Sequence, residues 1–125
     1  MGWGLIDMLF RRKKTESTLD LSVDEINDLI RSNLEYAEQC AHEGNVSGME
    51  MALEVALEQA QKIGQTIKSS RISEIKLRGY ECGVEALQAR IKSLEVEGKS
   101  VEAQRLQMLL ASYSNEAELF RRALR

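Results

Sequence analysis

Cys40, His42 and Cys82 are the side chains of this chain best suited to act as a nucleophile, a general base or a soft metal ligand. His42 is the only histidine, and Cys40 lies two residues before it, so the two would point to different sides of a helix. Two distant cysteines outside a CxxC motif are typical of small buried side chains in a reducing compartment. We therefore expect buried cysteines and a solvated histidine, with no nucleophilic triad.

Metal and cofactor motifs are equally weak. A ferritin-like carboxylate site needs Glu-x-x-His, whereas Glu38 and His42 are four residues apart and Gln39 stands where that Glu should be. The sequence contains no phosphate loop, dinucleotide fingerprint or EF-hand loop. A run of acids is typical of a solvated helical face and comprises Glu35, Glu38, Glu43, Glu50, Glu54 and Glu58. The sequence predicts a protein that is not an enzyme, with no metal, no cofactor and no small-molecule substrate.

The N-terminal segment has a different chemistry. Trp3, Ile6 and Phe10 share one face at helical spacing, and four bases end the segment. An aromatic wedge followed by bases is typical of a helix that lies on an anionic membrane. The predicted membrane or partner contacts are Trp3, Leu5, Ile6, Leu9, Phe10, Arg11, Arg12, Lys13 and Lys14.

Two alternatives compete with the membrane interpretation. The apolar face of residues 3–14 could instead cover the open end or a groove of the protein's own bundle, or a partner protein. The bases could contact nucleic acid, but the adjoining sequence is strongly acidic and the pI is about 5.3, which makes nucleic acid unlikely.

Composition fixes the fold class as all-α. The 125 residues include no proline, good helix formers dominate the second half, and no β-branched run suggests a strand. Formal charge alternates along the chain: residues 1–14 carry +3, residues 15–61 carry −10 and residues 62–125 carry +4. Opposite signs favour helices that fold back on one another or copies that associate head to tail.

Capping signals place the first helix boundaries. Ser22 and Glu25 form a capping box, preceded by Leu21 as a hydrophobic staple, and Gly44 is positioned to end that helix. A second capping box is predicted at Ser47 to Glu50, which leaves a tight antiparallel turn between the two helices.

The following stretch has two interpretations. One heptad stripe of apolar residues ends at Ile67, and a second begins at Leu77. The second stripe is out of step with the first by a three-residue deletion around Ser70 and Ser73. One continuous helix over 47–97 is favoured, because no capping box starts a new helix around Ser70 and no glycine or proline breaks one there. The alternative breaks the chain near 69–71. Gly98 ends this segment, and Ser100 caps a last helix whose apolar face runs from Ala103 to Leu124.

A second stripe of small and apolar residues lies beside the Leu77–Leu94 stripe. A helix with two apolar faces touches more than one neighbour, so either the bundle has four helices or this face joins copies of the chain. The predicted oligomer face comprises Ile72, Ile75, Gly79, Cys82, Gly83, Ala86 and Ala89.

The sequence thus predicts an elongated antiparallel bundle of three long helices, or four if the chain breaks near 70. The segments are an amphipathic basic helix at 1–14, a linker at 15–21 and the bundle at 22–125. The expected function is a scaffold or adaptor in the cytoplasm, peripherally bound to membrane and self-associating; a soluble adaptor is the alternative. No apolar run is long enough for a membrane span, and the order of apolar residues before bases is the reverse of a secretory signal.

Overall fold

A computed structural model describes residues 21–125, and these residues form four helices without any strand. Helix α1 spans Val23–His42 and α2 spans Val46–Lys62; together they form the first hairpin. Helix α3 spans Ser69–Val96 and α4 spans Ser100–Ala123; together they form the second hairpin. The all-α bundle is confirmed, in its four-helix form.

The first helix begins where its sequence signals place it. The Ser22 hydroxyl accepts a hydrogen bond from the Glu25 amide at 3.1 Å, and the Glu25 carboxylate accepts one from the Ser22 amide at 2.9 Å. Leu21 packs against the core, as a staple residue should. The start of α2 is different from the prediction, because Asn45 and not Ser47 caps it and accepts from the Gly48 amide at 3.0 Å.

The predicted continuous helix over 47–97 is wrong. Gly64 adopts φ +68°, and the Gln65 amide donates to the Ala60 carbonyl at 2.9 Å. This is the left-handed glycine ending that also closes α1 at Gly44 and α3 at Gly98. The break lies just before the 69–71 alternative, and the stop signal that sequence reasoning overlooked is Gly64.

The start of α4 also differs in detail. The helix begins at Ser100, but Lys99 is its N-cap residue and no side chain caps the helix. The predicted Ser100 cap is therefore wrong, although the helix and its Gly98 boundary are where they were expected.

Helix α3 is the element that joins the two hairpins. It contacts α1, α2 and α4, whereas the backbone of α4 runs beside α3 only. The main core lies where the hairpins meet, and its fully buried side chains include Met49 and Leu53. A separate and smaller group lies between the far ends of α3 and α4, with Ile91, Leu94 and Ala103 buried and Leu106 and Leu110 half-buried against them; we call it the arm cluster.

Candidate interaction surface

The predicted membrane contacts, Trp3 to Lys14, lie outside the described residues 21–125. Their role stays a prediction. What the structure describes is the second predicted surface, the small-residue stripe on α3.

The first half of that stripe is an interface within the chain. A Cβ on Gly79 would meet the Met49 side chain, and a Cβ on Gly83 would lie 3.1 Å from Val46 of α2 and from Tyr113 of α4. Ile75 is buried in the main core and Ile72 packs against it. Glycine at 79 and 83 thus lets α3 sit closely on the first hairpin, which is the four-helix alternative of the sequence analysis.

The first hairpin ends beside the middle of α3. At the turn between α1 and α2, a Cβ on Gly44 would lie 3.0 Å from the backbone carbonyl oxygen of Cys82. Gly44 also has φ +74°, which other residues rarely adopt. The turn therefore abuts the α3 backbone at Cys82 and Gly83, and the first hairpin extends no farther along α3.

Beyond that point the stripe is uncovered. Ala86 and Ala89 are exposed, and two further exposed residues, Ser93 and Val96, continue the alternation of three- and four-residue steps. Val96 is 86% exposed. At 100° per residue the members fall within an arc of about 120°. We call this arc the outer face of α3, which comprises Ile72, Ile75, Gly79, Cys82, Ala86, Ala89, Ser93 and Val96.

Sequence reasoning missed Ser93 and Val96 as members of this face. The step pattern was present in the sequence, but serine does not register as apolar and Val96 stands beside the helix end. For Gly79, Gly83 and Ile75, the predicted role in an oligomer is replaced by burial inside the chain. Self-association through the remaining residues stays a prediction.

The far ends of the second hairpin form an arm, which we define as residues 86–112. Its internal packing is limited to the arm cluster, and α4 buries only Ala103 and Ala117 along its whole length. Large apolar side chains point outward instead: Val101 is 62% exposed and Met108 is 76% exposed. Two paired helices with so small a core have little stability of their own, so the arm depends on its attachment to the main core.

That attachment is a polar and aromatic joint. The Tyr80 hydroxyl donates to the Glu50 carboxylate at 2.6 Å, and the Lys76 ammonium lies 3.3 Å from the other Glu50 oxygen. Tyr80 stacks on Phe120 and meets Tyr113 edge to face, at centroid distances of 6.0 and 5.3 Å. Burial, together with the hydrogen bond to Glu50, raises the pKa of Tyr80 above its ordinary range. The joint ties α2, α3 and α4 together at one level of the bundle.

The charge asymmetry seen in the sequence is used in the fold. Arg71 of α3 pairs with Glu38 of α1 at 3.2 Å, and Lys76 pairs with Glu50 of α2. Both pairs join the acidic first hairpin to the basic second one. The Arg71 pair is exposed and adds little stability, whereas the Lys76 pair is half-buried; both favour the observed side of approach.

The structure places Cys40 and His42 at the end of α1 and Cys82 in the middle of α3. No cluster of three His, Cys, Asp or Glu side chains suited to a metal occurs in residues 21–125. Cys40 is buried and its sulfur accepts a hydrogen bond from Asn45 at 3.7 Å, whereas His42 is exposed. Cys82 is half-buried beside the Gly44 turn.

Open grooves follow the boundary between α1 and α3. The larger, of about 980 Å³, is lined mainly by charged side chains, among them Glu38, Arg78 and Glu81. A smaller groove of about 510 Å³ lies at the start of α1 and is lined by Asp24, Asp28, Leu34 and others. Both are shallow surfaces of mixed charge, which suits a protein contact better than a small molecule.

No protein-family model, curated protein or solved structure matches the chain. Among the described helices, none combines the length and apolar character needed to cross a membrane.

Proposed function

We propose that the protein is a non-enzymatic helical adaptor, which residues 3–14 hold at an anionic membrane and which joins protein partners through its four-helix bundle. One observation supports the interaction role: α3 and α4 continue past the main core as an arm whose outward apolar side chains, such as Met108, no described residue covers. Val101 and Met108 are seven residues apart and share one exposed face of α4, and exposed apolar surface that is shared in this way is typical of an interaction site.

The membrane role is supported by the contrast between two parts of the chain. Residues 3–14 combine an aromatic wedge with four bases, each worth about 1 kcal/mol near an anionic surface. The described residues 21–125 carry seventeen acids and thirteen bases, so the bundle as a whole is repelled by anionic lipid. Membrane binding would therefore come from residues 3–14 alone and would be weak and reversible.

Flotation with phosphatidylserine-containing vesicles tests this role. We expect the full chain to float, and we expect higher salt to weaken the binding because the attraction is electrostatic. Lys13→Gln with Lys14→Gln should reduce flotation, whereas the matched pair Lys62→Gln with Lys68→Gln, which removes the same charge from exposed bundle positions, should not. Trp3→Ser with Phe10→Ser should reduce flotation even at low salt, because the wedge is lost.

The membrane role is contradicted if the full chain ignores these vesicles and Trp3 fluorescence is already blue-shifted without them. A soluble adaptor would then be the better account, and the groove at the start of α1 favours it. That groove lies at the start of α1 and is lined by Asp24, by the Asp28–Arg31 pair and by the apolar Ile30 and Leu34. The six residues 15–20 can span up to about 20 Å, enough to lay the basic segment along it. Asp24→Asn with Asp28→Asn should then make Trp3 more accessible to a soluble quencher.

A further inference from the structure

We infer that the uncovered half of the outer face of α3, from Ala86 to Val96, binds the same half-face of a second copy of this chain, with the two arms antiparallel. This inference specifies the self-association included in the proposed function, and it does not depend on membrane binding.

Continuity with an existing interface is the first argument. The same arc of α3 carries Ile75 and Gly79, which the first hairpin covers, and then Ala86, Ala89 and Val96, which it does not. The stripe keeps its three- and four-residue steps without interruption across this boundary. A face with this periodicity is suited to another helix, and the alanines allow a close approach of the two backbones.

The position of the first hairpin selects the orientation. The hairpin projects from the outer face of α3 and ends at Cys82, where the Gly44 turn abuts it. Two parallel arms would bring two first hairpins to the same level, on the very faces that must meet. Antiparallel arms place each first hairpin beyond the tip of the other arm. The uncovered stretch is about 15 Å long at 1.5 Å per residue, and the same stretch of a second copy matches it.

Both flanks of the uncovered half-face carry charges of both signs. One flank carries Glu85 and Lys92, and the other carries Arg90 and Glu97, with an acid and a base seven residues apart in each case. In an antiparallel pair of identical helices a flank meets the same flank of its partner, so each copy presents both signs to the other. The arm, residues 86–112, carries four bases and three acids, and Glu85 beside it balances the charge, so two copies do not repel each other there.

The buried area would be modest, since only about three helical turns of each copy meet. We therefore expect a reversible dimer that forms at tens to hundreds of micromolar, rather than a permanent one. The tip of each arm would also come close to the Gly44 turn of the other copy.

Sedimentation of the full chain at about 5 to 500 μM, without lipid, tests this inference. We expect the mass to rise from monomer toward dimer. Ala86→Arg should weaken the dimer at least about tenfold, while the matched control Ala111→Arg, on an exposed position of α4, should not. Glu85→Lys should weaken it less, because the change lies on the flank of the half-face, which then carries two bases in each copy. Circular dichroism of each variant checks that the helices are retained.

Cross-linking tests the orientation. Cysteines in an Ala86→Cys, Val96→Cys variant are about 15 Å apart along one helix, too far for a bond within the chain. In the antiparallel pair position 86 of one copy lies level with position 96 of the other, so mild oxidation should give an 86–96 disulfide identified by peptide mapping. A 96–96 disulfide would mean parallel arms and overturn the inference.

The inference is also overturned if the full chain stays monomeric at 500 μM, or if a dimer forms that Ala86→Arg leaves intact. A dimer lost only in the Trp3→Ser, Phe10→Ser variant would belong to the N-terminal segment and would likewise overturn it. Flotation is measured separately, so failure of self-association and failure of membrane binding give different results.

Discussion

The two halves of the outer face of α3 share the same three- and four-residue spacing, but one is covered and the other is exposed. From Ile72 to Cys82 the face is covered by the first hairpin, whereas from Ala86 to Val96 it is exposed. The cause is the length of the partner: α1 and α2 end at the Gly44 turn, and α3 continues for about 20 Å beyond it. The exposed half therefore lies beyond the end of the first hairpin, and the spacing of the stripe by itself does not distinguish the two halves.

The same contrast applies to the two apolar clusters. The main core draws side chains from all four helices, including Leu53 of α2, Ile75 of α3 and Ala117 of α4. The arm cluster draws on α3 and α4 only. We expect the arm to open locally at a lower free energy than the main core unfolds.

The largest difference is expected between two leucines that are equally buried. Leu53 is 1% exposed in the main core and Leu94 is 2% exposed in the arm cluster. Leu53→Ala should lower the free energy of unfolding by about 3 kcal/mol, because a cavity opens among neighbours that cannot collapse. Leu94→Ala should cost no more than about half of that, because the thin arm can close around the deletion. Urea denaturation followed by circular dichroism measures both. Equal losses would mean that the arm is as firmly packed as the main core.

The next comparison introduces a leucine on each half of the outer face by substitution. Gly79→Leu should destabilise the fold by about 1–3 kcal/mol, because its side chain must displace the buried Met49. Ala86→Leu, on the same face but exposed, should change the stability of the monomer by less than about 0.5 kcal/mol. Thermal unfolding at low protein concentration separates the two. A large loss at position 86 would show that the second half-face is already covered within one chain.

Which of these structural features the sequence predicts depends on whether the signal is local in the sequence. The sequence correctly predicts the capping box at Ser22 and the helix ends at Gly44 and Gly98, because caps act through residues adjacent in sequence. The break at Gly64 was overlooked, since the apolar stripe runs on through Ile63 and Ile67, which pack against the main core from the turn. The division of the outer face of α3 could not be foreseen, because it depends on where a helix distant in sequence ends. The contact between Tyr80 and Glu50 could not be predicted either, because the two residues are thirty positions apart in the sequence.

The smallest effect concerns the joint that holds the arm. Tyr80→Phe removes the hydrogen bond to Glu50 and should cost about 1–2 kcal/mol at neutral pH, with the Lys76 pair still in place. The pKa of Tyr80 is raised in the folded chain, so the folded state keeps its phenolic proton where the unfolded chain, with a pKa near 10, loses it. This contribution is fully present below pH 10 and is lost as the pH rises above it.

Measuring the free energy of unfolding between about pH 8 and 11 tests this loss of stability with rising pH. The native chain should lose stability with rising pH more steeply than the Tyr80→Phe variant, which lacks the titrating group. Parallel slopes would show that Tyr80 does not couple the fold to alkaline pH.

The central claim is that α3 is covered by its own chain on one half of its outer face and by a second copy on the other. Amide hydrogen exchange of the full chain at about 5 and 500 μM tests this claim most directly. We predict that amides 75–83 are strongly protected at both concentrations. Amides 86–96 should exchange faster at the lower concentration and slow several-fold at the higher one, because association stabilises the arm. Equal protection of the two stretches at 5 μM, or arm amides that do not respond to concentration, would contradict the account.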